Sequence, residues 1–312
     1  MDEFALIRSY FSGLTAASEG VTLGIGDDCA LLQVPAGHEL AVTTDTLVCG
    51  RHFPETAAPF DIGWKSLAVN LSDLAAMGAQ ARWFALALTL PRFDATWLEN
   101  FATGLKALAD QSVVSLVGGD TTRGPLSITI SALGTVPRGQ ALKRAGAKAG
   151  DAICVTGTLG DAALALQMPG AKELSAYLRE RLDRPLPRLA AGMALRGLAH
   201  AAIDLSDGLA GDLVHILEAS GAGAEVHADK LPMSAEFERL SSPVSRLPLQ
   251  AQGGDDYELC ACIPPARIGA AAAALDVPLT VIGRVTAEPG LRFLDADGVN
   301  IPLEPHGYRH FP

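Results

Sequence analysis

Strand-like and helix-like segments alternate along this chain, and the alternation breaks off once and then starts again. Runs of apolar and β-branched residues bounded by Gly, Pro or Asp predict strands over residues 40–48, 83–90, 113–117 and 126–136. Apolar residues at helical spacing predict helices over 4–11, 63–77 and 97–108, with Asp94 placed to cap the last of these. Such interleaving restricts the first half to a layered α/β or α+β domain. From 137 to 151 the sequence PRGQALKRAGAKAGD has no apolar periodicity and carries four basic residues, Arg138, Lys143, Arg144 and Lys148. A strand at 152–156 then opens a second series. It continues with a Gly-x-x-Gly turn (Gly157, Gly160), helices over 161–167, 187–198 and 270–274, a strand-turn-helix unit over 203–219, and strands over 257–263 and 279–285. Because 312 residues exceed what one hydrophobic core usually serves, two domains are expected: 1–137 and 151–312, joined by a basic linker over 138–150.

Hydrophobic residues at 49% and charged residues at 19% exclude a disordered chain. Thirty-five acidic against 24 basic residues, a net charge of -11, argue against nucleic acid as a partner, since that needs clustered Lys and Arg. No apolar stretch approaches the roughly 20 residues that span a bilayer, so no membrane partner is expected. The opening Met-Asp-Glu-Phe lacks the basic and apolar regions of a signal peptide. Five scattered cysteines without a C-x-x-C pair support neither a disulfide framework nor a structural zinc site, so a cytoplasmic protein is expected. Cys260 and Cys262 alternate on one of the expected strands, where buried thiols are favoured over metal ligands.

Aspartates recur in short Gly, Ser or Thr segments that follow apolar runs: GIGDD (24–28), TTDT (43–46), NLSD (70–73), GGDTTRG (118–124), DLSDG (204–208) and GGDDYE (253–258). Any one of these alone reads as a turn. Asp73, however, sits inside an apolar helical pattern, and Asp45 interrupts a strand-like run, places where a carboxylate needs a partner. That partner is a cation, or else a structural salt bridge or cap. Carboxylates that converge to about 4 Å repel by around 4 kcal/mol at an effective dielectric near 20, and no matching set of Lys or Arg accompanies these. Mg²⁺ suits them because it takes hard oxygen ligands and usually keeps water and substrate phosphates in its shell. Backbone N–H groups at 24–26, 118–119 and 157–160 are candidates to approach phosphate oxygens. No P-loop, protein-kinase or dinucleotide fingerprint is present. Arg144 is a candidate phosphate clamp, with a solvated linker as the alternative. Arg123 follows Asp120 closely enough to neutralise it, and His52 is the one histidine close to an acidic motif.

In order, GIGDDCALL, TTDTLVCGRHF, KSLAVNLSDLAAMGA, GGDTTRGPLSIT, VTGTLGD, IDLSDGL, GGDDYEL and the terminal GYRHF resemble the bacterial thiamine-monophosphate kinases, of the aminoimidazole ribonucleotide synthetase-like superfamily. The resemblance implies two layered α/β domains, N-terminal domains paired in a homodimer, and ATP bound in the groove. It implies ATP-dependent phosphorylation of thiamine monophosphate to thiamine diphosphate, the last step in making that cofactor. It assigns Mg²⁺, as several ions, to Asp28, Thr43, Thr44, Asp45, Asp73, Asp120, Asp204 and Asp207. Gly119, Asp120, Arg144 and Ser206 would contact ATP; His52, Asp255 and Tyr308 would contact thiamine phosphate. Asp45, Asp73, Asp120 and Arg144 would carry catalysis. Asp255 stands where the family commonly has Glu, and Tyr308 where it often has Trp. The acceptor phosphate oxygen is already ionised near neutral pH, so direct in-line transfer without a general base or a phosphoenzyme is expected. The competing readings are another ATP-using member of the superfamily and a non-catalytic Mg-nucleotide-binding regulator; a reactive Cys paired with Lys, as selenophosphate synthesis needs, is absent from the N-terminal region.

Overall fold

Alternate apolar positions on four long strands build the first sheet. The computed structural model describes residues 9–11, 14, 19–168 and 175–308; most of the helix expected over 4–11 lies outside them, as do residues 309–311 of the terminal motif. After a short antiparallel pair, β1 (Val21–Leu23) and β2 (Leu31–Leu32), come β3 (His38–Val48), α1 (Pro59–Ala76), β4 (Gln80–Leu90), α2 (Ala95–Ser112), β5 (Ser115–Arg123) and β6 (Ser127–Pro137). The strand order is β3-β6-β4-β5, with only the β4/β5 pair parallel. Trp83, Phe84, Phe101, Leu67, Leu71, Leu98 and Leu105 are fully buried, each apolar side chain contributing about 1.5–3 kcal/mol relative to exposure. Helices α1 and α2 meet backbone to backbone: a Cβ on Gly104 would lie 1.9 Å from the Phe60 carbonyl, and one on Gly63 2.2 Å from that of Phe101. Asp94 caps α2 as expected, accepting from the Trp97 N–H at 3.0 Å. The helix ends at Val113 in a left-handed conformation (φ 56°), so the strand expected from 113 begins only at Ser115. It also runs on through GGDTTR to Arg123, because β4 pairs with that segment residue by residue.

The second series comprises β7 (Ala152–Thr156), α3 (Asp161–Gln167), α4 (Ala176–Asp183), α5 (Leu189–Leu195), β8 (Ala201–Asp204), α6 (Leu209–Ser220) and β9 (Gly223–His227). It ends with α7 (Ala235–Leu240), α8 (Pro243–Gln252), β10 (Leu259–Ile263), α9 (Ile268–Ala274), β11 (Leu279–Thr286), β12 (Gly290–Leu294) and β13 (Asn300–Ile301). Seven strands pair in the order β13-β12-β9-β11-β7-β10-β8. Strands β7 and β10 are buried along their whole length. Ile153, Val155, Cys260 and Cys262 join one core cluster with α6, while Cys154, Leu259, Ala261 and Ile263 join another with α5 and α9. Period-two alternation thus feeds two cores, one on each face; Cys260 and Cys262 are buried as expected, and Cys154 is buried with them. The chain divides into two compact units: the described residues up to Leu74 with Ala79–Gly139, and Ala75–Gly78 with the described residues from Gln140 on.

Candidate active site

In the first unit, strand geometry sorts the acidic motifs. From Leu40 on, odd-numbered residues of β3 are the more covered and even-numbered ones are exposed, as a two-residue period requires. Thr43 donates its hydroxyl to the Asp73 carboxylate of α1, and the Asp45 N–H donates to Asn70 Oδ1 at 3.0 Å. Asn70, fully buried, is held in turn by donating to the Ser66 carbonyl at 3.1 Å. Thr43 thus supplies the Asp73 carboxylate with a hydrogen-bond partner. The Thr44 side chain lies on the opposite face, where its hydroxyl pairs with Ser131 at 2.8 Å. His52 follows β3 in a turn, its Nδ1 accepting from the Val48 N–H at 2.9 Å, which leaves Nε2 to carry the proton.

Asp120 lies on β5 at the other edge of the sheet. Asp45 pairs with Ile130, Ile130 with Leu86 and Leu86 with Gly119, so Asp45 and Gly119 share one row across four strands. Three strand spacings put Asp45 about 14 Å from that row's far end, so no single ion can take both Asp45 and Asp120. Gly119 (φ 152°) is required by packing: a Cβ there would lie 1.8 Å from the Leu86 carbonyl oxygen. Asp28 is exposed in a turn, where its N–H donates to Asp27 at 2.8 Å.

In the second unit, Asp204 ends β8, and Ser206 and Asp207 form the turn into α6. Beyond the β8/β10 ladder the backbone goes on pairing: Leu205 N–H to the Glu258 carbonyl (2.8 Å), Tyr257 N–H to that of Leu205 (2.8 Å) and Asp255 N–H to that of Ser206 (2.9 Å). Tyr308, whose side chain is exposed, donates its N–H to the Asp207 carbonyl at 3.0 Å. Ser206, Asp207, Asp255 and Tyr308, far apart in sequence, thus meet at one corner with Asp204. Arg144 is exposed on the basic segment, which Ser220 pins by accepting from the Gly146 and Ala147 N–H groups and donating to the Arg144 carbonyl.

Sequence reasoning passed over Asp212. Its carboxylate accepts from the Asp207 and Gly208 N–H groups, both at 3.1 Å, and so fixes the DLSDG turn. Burial pushes its carboxyl up to about 8, with the charges of Asp204 and then Asp207 adding to the rise. A turn whose neighbouring carboxylates add to the rise of Asp212 in this way is short of positive charge. The Gly157–Gly160 turn corrects an expectation. The Gly157 N–H goes to the Pro278 carbonyl, Leu159 to Pro232, and Gly160 to the Asp256 carboxylate, so these donors are committed inside the protein rather than to phosphate.

The donor set is entirely of hard oxygens, which fits Mg²⁺. Among the described residues no three His, Cys, Asp or Glu side chains are gathered as a ready-made metal cage. The fit is therefore to an ion that completes its shell with water and substrate oxygens, as Mg²⁺ habitually does.

Two layered domains carrying aspartate-rich turns at strand ends define a class. Residues 26–136 match the N-terminal domain, and 148–295 the C-terminal domain, of the AIR synthase related proteins, and the chain belongs to that family. Within the class, the thiamine-monophosphate kinase of Salmonella typhimurium strain LT2 is 49% identical over 99% of this chain and 98% of its own length. The crystal structure of the Stenotrophomonas maltophilia K279a thiamine-monophosphate kinase superposes with a TM-score of 0.88 at 48% identity, covering 96% of this chain and 97% of that one. AaThiL, complexed with AMPPCP and TMP, gives 0.79 at 31% identity over 99% and 97%. This chain is a member of the thiamine-monophosphate kinase family, as its motifs led us to expect. No helix among the described residues is long and apolar enough to cross a membrane.

Proposed function

We propose that this enzyme transfers the γ-phosphoryl group of ATP in line to a phosphate oxygen of thiamine monophosphate, giving thiamine diphosphate. The observation that carries the reading is the Thr43–Asp73 contact beside Asp45 and Asn70: the Thr43 hydroxyl holds the Asp73 carboxylate of α1 against β3, and buried Asn70 holds the backbone of Asp45 two residues further along that strand, in a chain belonging to a kinase family. Asp28, Thr43, Thr44, Asp45, Asp73, Asp120, Asp204 and Asp207 would hold several Mg²⁺ ions, the part of Thr44 falling to its main chain. The charge that Mg²⁺ would supply there offsets the repulsion between the two phosphate-bearing substrates. Gly119, Asp120, Arg144 and Ser206 contact ATP; His52, Asp255 and Tyr308 contact thiamine phosphate. Residue by residue, the work is positioning and charge compensation. The acceptor oxygen arrives ionised, so no side chain has to remove a proton, and no residue carries the phosphoryl group covalently.

Residues 1–137 form the ATP- and Mg-binding and dimerisation domain, 138–150 the basic connection and 151–312 the C-terminal α/β domain. A homodimer is supported by edge strand β3, whose outward face exposes Leu40, Val42 and Val48. A cytoplasmic location and the lack of nucleic-acid or membrane partners accord with the net charge of -11 and the scattered free cysteines. The test is incubation of the purified protein with ATP, Mg²⁺ and thiamine monophosphate, with and without chelator. Thiamine diphosphate is expected only without chelator. Its absence under both conditions overturns the assignment, and γ-phosphate label retained on denatured protein overturns the direct transfer.

A further inference from the structure

Among the described residues three that are not glycine adopt a left-handed backbone: Val113, which ends a helix, and Asp255 (φ 68°) and Tyr257 (φ 49°), which flank a single buried aspartate. A left-handed conformation costs a residue with a side chain roughly 1 kcal/mol or more, and two within three positions persist only where the surroundings over-determine them. The surroundings do so here. Both Asp256 carboxylate oxygens accept from the Gly160 N–H at 3.0 Å, and the Asp256 carbonyl accepts from Arg181 at 3.3 Å. Arg181 also binds Glu258 at 3.0 Å, and Arg188 grips the same carboxylate with both arms, at 2.6 and 2.5 Å. Glu258 is wholly buried, and a Cβ on Gly157 would lie 2.2 Å from its carboxylate. Buried ion pairs are a poor means of stabilising a fold, since apolar residues of like volume often do as well or better. What such a network does supply is a fixed backbone.

The segment so fixed carries Asp255, whose carboxylate accepts from the Tyr257 hydroxyl at 3.0 Å and whose N–H is bound to Ser206. Resting on the assignment of Asp255 to thiamine phosphate, we infer that Asp256 and Arg181 are positioning residues for the acceptor substrate. Neither touches substrate. Anchored to the Gly157–Gly160 turn and to Glu258, they hold residues 255–257 in a strained form that aims the Asp255 carboxylate, and so set the affinity for thiamine monophosphate rather than for ATP.

A double-mutant cycle tests this. In the otherwise unchanged enzyme, Asp256→Asn should raise the KM for thiamine monophosphate about ten-fold and that for ATP less than about two-fold, as misaimed binding groups do. In an Asp255→Ala background the same change should cost less than about two-fold, because the group being aimed is gone. Where turnover is too slow, equilibrium binding of thiamine monophosphate provides the same ratio. A merely structural Asp256 would cost the same factor in both backgrounds, or raise both KM values together, and either result overturns the inference. Arg181→Lys, which keeps the charge but loses the fork, is the second variant should Asp256→Asn fail to fold, with the same two outcomes. A parent enzyme that makes no thiamine diphosphate removes the functional assignment, and this inference with it. An active parent with additive variants removes the inference alone.

Discussion

The two units hold their acidic residues by different means. In the first, the carboxylates ride on regular elements: Asp45 on an eleven-residue strand, Asp73 on an eighteen-residue helix, and Asp120 on a strand locked to β4 by register. Neutral groups do the fixing, the Thr43 hydroxyl on the Asp73 carboxylate and the Asn70 amide on the Asp45 backbone. In the second unit Ser206, Asp207 and Asp255 lie on turns, and beside one of those turns sits an ionic cluster of Glu258, Arg181 and Arg188, with Arg181 also bonded to the Asp256 carbonyl and the Asp256 carboxylate held by the Gly160 N–H. Where secondary structure already fixes direction, a side chain need only be bonded. Where a turn must be fixed, charge is buried to do it. Changes to the carboxylates of the first unit should therefore strike turnover and spare the fold, and changes to the ionic cluster of the second should strike the fold as well.

The largest expected effect is on turnover. Asp45→Asn, Asp73→Asn or Asp120→Asn should each lower kcat by about a thousand-fold or more, since each removes a charge that offsets phosphate repulsion through bound metal. Circular dichroism and Tm should stay within a few degrees of the parent. Near-parent activity in all three would break the comparison at its first term. Glu258→Ala is the counterpart. Leaving Arg181 and Arg188 buried without their shared carboxylate should cost about 3–5 kcal/mol. Denaturant unfolding would measure this, and a loss below about 1 kcal/mol would show the cluster not to be what fixes the turn. Between the two lies Asn70→Ala, which removes the acceptor of the Asp45 N–H and should cost about 1–3 kcal/mol while also lowering turnover.

The same contrast governs how far the sequence could be read. Residues on long regular elements were legible: the strands over 40–48, 83–90 and 126–136 and the α2 cap all follow from periodicity and a single Asp. The need of Asp73 for a partner was legible as well, because a carboxylate on an apolar helix face is out of place; that the partner is Thr43, thirty residues away, is a fact of packing. The strand expected over 257–263 begins only at Leu259, since Tyr257 is left-handed, and no local pattern announces that in a tyrosine. Helices α4, α7 and α8 and strands β9, β12 and β13 went unmarked because their apolar positions are few and pack against elements distant in sequence. One signal for the ionic cluster does stand in the sequence. Glu258 opens the apolar run ELCACI, and a glutamate at the mouth of a buried strand requires cations, which Arg181 and Arg188 supply.

A smaller effect sharpens the ligand side of the comparison. Arg144 is exposed on a segment pinned by its backbone to Ser220, so its side chain is free to reach an anion without stabilising the protein. Arg144→Ala should raise the KM for ATP about ten-fold with kcat and Tm held, the loss of one charge-assisted contact. An unchanged KM would make the residue a solvated part of the connection.

The thiols give the smallest effect and the cleanest separation of the units. Cys29 is exposed in the first unit, whereas Cys154, Cys260 and Cys262 lie within the second sheet. Burial pushes Cys154 and Cys262 up to about 12 from an ordinary 9.0, and drives Cys260 upward as well. Below pH 9 these thiols keep their protons whether the chain is folded or not and contribute nothing to pH dependence. Above it the unfolded chain ionises first, so each thiol should subtract on the order of 1 kcal/mol of stability per pH unit until its folded value is reached. Alkaline unfolding of the Cys154→Ala, Cys260→Ala, Cys262→Ala triple variant should accordingly show a shallower loss of stability above pH 9 than the parent. At pH 8 a thiol reagent should modify Cys29 rapidly and the three sheet thiols only as fast as the second unit opens. Modification of any sheet thiol at the Cys29 rate in folded protein would mean that this sheet, and the charge cluster held beside it, is far looser than the packing of β7 and β10 implies.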